Sequence, residues 1–181
     1  DLHSFPTRRS SDLMKKIFDN IKKNKFLKII KYNKTIQKRF NLNIQGYKEF
    51  SQIFSPIEIE IIPIKSENSR FINIKDDKSY YHIYFDDNKE EIKRNYLNED
   101  DEVSKIKIII DYQVLSFERL FSFCESVESI YFKMFTRNNI TNMSSMFSGC
   151  TPLKEINFSK FNTENVKDMS GMFTKCQSLR E

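Results

Sequence analysis

Apolar positions in the last third of the chain recur every 26 residues. Leu120, Met146 and Met172 form one column, Phe121, Phe147 and Phe173 the next, and Phe117, Met143 and Met169 stand three places before the first. Cys124, Cys150 and Cys176 keep the same step, as do Val114, Ile140 and Val166, and Val127, Leu153 and Leu179. Ile130, Phe132 and Phe135 have counterparts in Ile156, Phe158 and Phe161. So many columns at one period predict a solenoid, in which each unit buries its apolar face on the next. Within a unit, Met169, Met172, Phe173 and Cys176 stand at i, i+3, i+4 and i+7, which predicts a short helix with one buried face. Ser116, Asn142 and Asp168 precede these faces and are expected as N-caps, and Pro152 closes the second helix. Leu153-x-x-Ile156-x-Phe158 and Val127-x-x-Ile130-x-Phe132 then alternate with period two, and Val103-x-x-Ile106-x-Ile108 does so two residues out of step. Stacked, these predict parallel strands, the first over 103–110. Asn139 and Asn165 are expected to bond to neighbouring backbone in the turn before each helix.

The front half shows a different pattern. Apolar pairs at 17–18, 26–27, 30, 36 and 40 predict two or three short helices over 15–42. Ile57-Glu58-Ile59-Glu60-Ile61 alternates strictly and predicts a strand, placed at a sheet edge by Pro63. Phe71–Ile74 and Tyr80–Phe85 follow as strands, with 86–88 as a turn, and 92–97 is expected to pair with 103–110, the alternative being a short helix capped by Asp87.

The strings NNITNMSSMFSGCTPLKEINFSKF and FNTENVKDMSGMFTKCQSLRE resemble the BspA-like class of leucine-rich repeats, whose coil runs F-N-T-x-N-V-x-D-M-S-x-M-F-x-x-C-x-x-L-x-x-L-x-L-S. The resemblance spans residues 117–181, with two good copies and one degenerate one, and Phe132 and Phe158 stand where the family has a strand leucine. It implies a repeat domain for protein or surface recognition without catalysis. Such relatives include bacterial cell-surface proteins and intracellular eukaryotic ones. The fold expected is therefore α/β: a leucine-rich-repeat solenoid of parallel strands plus short helices over 103–181, preceded by a β-rich segment over 46–102 and a small basic helical segment over 14–45. Residues 1–13, DLHSFPTRRSSDL, resemble a translated sequencing adapter and are set aside as a tail without order. The last coil carries no polar cap, which predicts a native chain running past residue 181.

Charge follows the same divisions. Residues 14–45 carry a net +9, residues 46–102 a net −6 and residues 103–181 a net +2. The basic block admits nucleic acid or an anionic surface as a partner, against the simpler reading of lysine-rich solvated helices. The stretch IFDNIKKNKFLKIIKYNKTIQKRF also resembles an F-box, which would make the protein a substrate receptor of a ubiquitin ligase. A cell-surface adhesin is the other alternative to a recognition or scaffold protein.

Composition removes most catalytic readings. Three glycines cannot build a phosphate loop or a dinucleotide turn, and two histidines exclude a zinc HExxH helix. No cofactor, metal, small-molecule substrate or membrane span is expected, and the chain is read as a non-enzyme of the cytoplasm. The cysteines, spaced by 26, lack the close ligand pairs of zinc sites and are expected to pack as small hydrophobes. The predicted core comprises Phe117, Leu120, Phe121, Cys124, Met143, Met146, Phe147, Cys150, Met169, Met172, Phe173 and Cys176. The predicted partner-binding residues are the outward strand positions Lys105, Lys107, Ser129, Tyr131, Lys133, Glu155, Asn157 and Ser159, with Tyr131 as anchor. Glu58 and Glu60 are read as surface charge, and His82 as a packed strand residue.

Overall fold

Ile57, Ile59 and Ile61 project to one side of an extended segment and Glu58 and Glu60 to the other, and the molecule is built around this strand. In the computed structural model, which describes residues 31–39, 48, 51–65 and 69–180, it is β1 (Ile57–Pro63). The chain divides into two compact units, residues 1–52 and 53–181. In the first, α1 (Lys34–Arg39) is capped by Asn33, whose Oδ1 accepts from the Ile36 amide at 3.0 Å. The tail at 1–13 and most of the F-box-like stretch lie outside the described residues.

In the second unit a 3-10 turn at Lys78–Tyr80, capped by Asp77, leads into β2 (Tyr81–Phe85). Then come β3 (Ile106–Ile110), β4 (Val127–Met134) and β5 (Glu155–Asn157). They form one sheet in the order β2-β3-β1-β4-β5. β1 lies antiparallel to β3, with Ile59 opposite Ile108, and antiparallel to β4, with Ile61 opposite Ile130. β2 and β3 are also antiparallel, and only β4 and β5 run parallel.

This mixed sheet overturns the expected solenoid of parallel strands plus helices. The segment 103–110 is no first parallel strand, because β1 inserts between it and β4 and reverses the direction. Pro63 does not mark an edge either. β1 is the middle strand, and Pro63 is its last residue, at a register shift against Val127, where the missing amide costs no ladder bond. The stretches 71–74 and 92–97 are not strands; the second makes only isolated bridges, Tyr96 to Arg70 and Ile92 to Ile83.

The predicted helices are absent too; the described residues of 103–180 contain no α-helix. In their place are runs of tight turns with a left-handed residue at every fourth position. Arg119 and Phe123, Ser145 and Gly149, and Gly171 and Lys175 all have φ between 53 and 78°. Even-numbered amides close the turns: Met146, Ser148 and Cys150 donate to the carbonyls of Met143, Ser145 and Phe147. Odd-numbered amides point along the stack. Phe117, Arg119, Phe121 and Phe123 donate to Asn142, Ser144, Met146 and Ser148 of the next run at 2.8–3.0 Å. Met143, Ser145, Phe147 and Gly149 repeat this against Asp168, Ser170, Met172 and Thr174 at 2.8–3.0 Å. An α-helix would use every amide within itself and leave none for a neighbour. The capping residues keep their chemistry in a new setting: Asn142 and Asp168 accept from Ser144 and Ser170 two residues on, and so open the turns. Asn165 reaches back one repeat, donating to the Asn138 carbonyl at 2.9 Å.

Side chains follow the 26-residue step. Phe121, Phe147 and Phe173 stack with ring centroids 5.6 Å apart and planes within 3° of parallel. The Cys150 thiol donates to the Phe121 carbonyl at 2.7 Å and the Cys176 thiol to the Phe147 carbonyl at 3.0 Å. Burial pushes the Cys150 thiol up to about 12 and raises those of Cys124 and Cys176 as well. Of the twelve predicted core residues, Phe117, Leu120, Phe121, Cys124, Met143, Met146, Phe147, Cys150 and Met172 are buried, and Cys176 is half-buried. Met169 and Phe173, expected inside, are 42 and 41% exposed, because no fourth run covers them among the described residues. The first run is covered: the Asn73 amide donates to the Leu120 carbonyl at 2.7 Å, and its side-chain amide reaches the Ser122 carbonyl at 2.5 Å.

Phe147→Ala removes the middle ring of the column and is expected to lower stability by about 3–5 kcal/mol in denaturant unfolding. Gly149→Ala sets a Cβ 2.5 Å from the Phe123 ring at a φ of +78° and is expected to cost about 1–2 kcal/mol. A thiol reagent should modify Cys176 first, and Cys124 and Cys150 only on the timescale of unfolding; mass spectrometry after partial labelling reads the order.

Candidate functional site

The period-two alternation that buries the isoleucines puts the other side chains of all five strands on one outer face. Across its middle, Tyr84, Lys107, Glu60, Tyr131 and Asn157 stand in register. Charges alternate over this surface and pair. Lys107 lies 3.7 Å from Glu58, Lys133 lies 3.1 Å from Glu60, and Lys105 lies 3.0 Å from Asp87. The Tyr131 hydroxyl donates to Glu155 Oε2 at 3.1 Å, and the Lys133 ammonium sits 5.2 Å over the Tyr131 ring. Pairs this exposed contribute between zero and about 1 kcal/mol each, so they can be exchanged at little cost for contacts with another molecule.

Six of the eight predicted binding residues lie on this face or its border: Lys105, Lys107, Tyr131, Lys133, Glu155 and Asn157. Ser129 points outward yet is only 8% exposed. It stands in register between Ile62 and Glu155, whose longer side chains overshadow it. Ser159 lies beyond β5 in a turn that Asn157 closes by accepting from its amide at 2.9 Å. Glu58, Glu60 and Tyr84 complete the face. The alternation of β1 showed which way the two glutamates point, but not that lysines of two flanking strands would meet them. Lys105 is positioned by the neighbouring turn. Asp86, at φ +52°, accepts from the amides of Ser104 and Lys105 at 3.0 Å and from the Ser104 hydroxyl at 2.6 Å. The serine hydroxyl, followed by these amides, holds the Asp86 carboxyl below its ordinary value.

At the far border, His82 is half-exposed, with Nδ1 3.1 Å from Glu91 and Nε2 3.7 Å from Asp111. It is thus a partly buried strand residue, as expected, and is flanked by two carboxylates. Lys93, 2.8 Å away, and then His82 hold the Glu91 carboxyl low. Beneath, Arg137 is fully buried and donates to the Asp111 carbonyl at 2.6 Å. Burial pushes its guanidinium down to about 10, against the pull of Asp111 and Tyr81. Among the described residues its Nε and Nη2 have no hydrogen-bond acceptor. A small pocket of about 30 Å³, bounded by Ile74, Tyr81, Ile83 and Ile92 and by the polar Lys78, Lys93, Arg94 and Asn95, is of a size for water and not for a larger ligand. The described residues contain no cluster of three or more His, Cys, Asp or Glu arranged to hold a metal. None of their helices is long and apolar enough to cross a membrane.

The stacked turns, the parallel strand pair and half of the outer face thus come from one repeating stretch. Residues 112–181 match the family model described as Mycoplasma protein of unknown function, DUF285. The matched stretch begins just after β3 and takes in all three runs of turns, β4 and β5. No curated protein and no solved structure matches the chain.

Asp86 gives the lysine border a defined acid response. Its folded-state carboxyl titrates below the ordinary 3.8, so its contribution is complete above that value and is lost as pH falls through and below it. The urea midpoint should hold from neutrality to about pH 5 and drop towards about pH 3, with a shallower drop in Asp86→Asn.

Proposed function

We propose that the chain is a non-catalytic recognition protein that binds a protein partner through the outer face of its sheet. The observation that carries this reading is the setting of Tyr131, held between the Lys133 ammonium and the Glu155 carboxylate on β4, between the central and the edge strand of a five-stranded sheet. Aromatic side chains fixed on rigid elements dominate the energetics of protein interfaces. The alternating lysines and glutamates around it suit a partner segment of mixed charge, since each pair can open towards a complementary group. The resemblance of the repeat to BspA-like recognition domains supports the same use, with runs of turns standing where helices were expected. The reading assigns no step of chemistry to His82, Glu91 or Asp111.

The test starts from a partner captured by the 181-residue chain and its affinity for variants. Tyr131→Ala should weaken binding by more than roughly tenfold, the loss expected of an interface anchor, with the melting temperature unchanged. Lys133→Glu should weaken it further, and Lys89→Glu, away from the face, should not. Parent-like affinity in Tyr131→Ala would remove the outer face as the binding site.

A further inference from the structure

The charges that pair across the outer face fall in stripes, one sign to a strand. Lys107, with Lys105 just before the strand, makes β3 positive, and Glu58 and Glu60 make β1 negative. Lys133 makes β4 positive and Glu155 makes β5 negative. Glu128, at the irregular start of β4, is neutralised by Lys154. Across the sheet the signs therefore run plus, minus, plus, minus. Such an order is complementary to its own mirror sequence.

We propose that the partner of this face is a second copy of the chain, the two sheets packing face to face about a two-fold axis parallel to the strands and lying between β1 and β4. The inference rests on the outer face being the binding surface and adds what fills it. Rotation about that axis lays β3 of one copy over β5 of the other, and β1 over β4. The register then sets opposites together row by row. Lys105 continues the row of Ile62, Ser129 and Glu155, and so lies over Glu155 of the second copy. In the next row Lys107 lies over Asn157 of the second copy, and Glu60 over its Tyr131, beside whose ring the Lys133 ammonium sits. Ile62 lies over Ser129 of the second copy, a short side chain recessed to 8% exposure and shaped to receive a larger one.

Other placements match worse. A two-fold across the strands lays each strand on its own copy, glutamates on glutamates and lysines on lysines. An axis along β1 or along β4 does the same for that strand. An axis between β3 and β1 leaves Glu155 unmatched and sets Lys105 on Ile62. With the axis between β1 and β4, Tyr131 stands on both sides of it, since every contact of a two-fold interface occurs twice. That is the central position at which anchor residues are found. Sheets stacked in this way lie about 10 Å apart with strands within roughly 30° of parallel. The four overlapping strands cover roughly 400–500 Å² a side, below the standard interface, so the dimer is weak and reversible.

Sedimentation velocity on the 181-residue chain in reducing buffer, from about 10 μM to about 1 mM, reads the association. The chain should pass from monomer towards dimer over that range. Lys105→Glu and Glu155→Lys should each weaken dimerisation by at least roughly tenfold, with melting temperatures close to the parent's. The double variant Lys105→Glu/Glu155→Lys should return the association to within about threefold of the parent. Within one chain these residues are separated by β1 and β4, about 14 Å at the spacing of strands, so restoration reports a contact between copies. A chain still monomeric at about 1 mM overturns the proposal. So does a dimer that neither single variant weakens, or one that the double variant fails to restore. In any of these cases a different captured partner lost in Tyr131→Ala would leave the outer face standing as a binding surface, so the two readings fail separately.

Discussion

The structure depends on how its repeats divide their backbone amides. A run such as Met143–Cys150 has too few residues to form a persistent helix, and one that satisfied all its amides internally would face its neighbours through side chains alone. Here every second amide closes a turn and every other one crosses to the next run. The cost is a left-handed residue at each fourth place, met by glycine at 149 and 171 and by Arg119, Phe123, Ser145 and Lys175 elsewhere. The return is a continuous ladder that fixes the spacing at which the phenyl rings stack and the thiols find carbonyls.

β4 joins this ladder to the rest of the molecule. On one side it runs parallel to β5, one repeat further on, and on the other antiparallel to β1. The change of direction ends the repeat pattern and lets the front half contribute Glu58, Glu60, Tyr84, Lys105 and Lys107 to a face whose remainder comes from the repeats. The face is thus shared between two stretches of sequence with different rules. Its lysines come from β3, β4 and the loop before β3, and its β1 carboxylates from a strand with no 26-residue partner.

Much of this is legible in the sequence, and what is not has a physical cause. The apolar columns place Phe121, Phe147 and Cys150 correctly because period 26 is a property of the stack, whatever the backbone does between columns. Helix and turn run could not be told apart by spacing, since both bury i, i+3, i+4 and i+7. The discriminating signal was composition: Gly149, Gly171 and the serines and threonines around them favour turns. Alternation likewise placed Tyr131, Lys133, Glu155 and Asn157 outward, but it carries no information about which strands become neighbours. The insertion of β1 between β3 and β4 joins segments some fifty to seventy residues apart, and no local pattern announces it. Ser129 shows the limit at single-residue scale: its direction was right, and its burial is decided by the length of its neighbours.

The shared direction of the crossing amides has an electrical consequence. Eight peptide groups in the two interfaces point the same way, so their dipoles add much as they do along an α-helix. Among the described residues the stack therefore has its positive end at Met169–Lys175 and its negative end at Asn73, where a neutral amide, not a carboxylate, meets the carbonyls. This field comes from peptide groups alone, so changing any charged side chain of the stack would leave it in place.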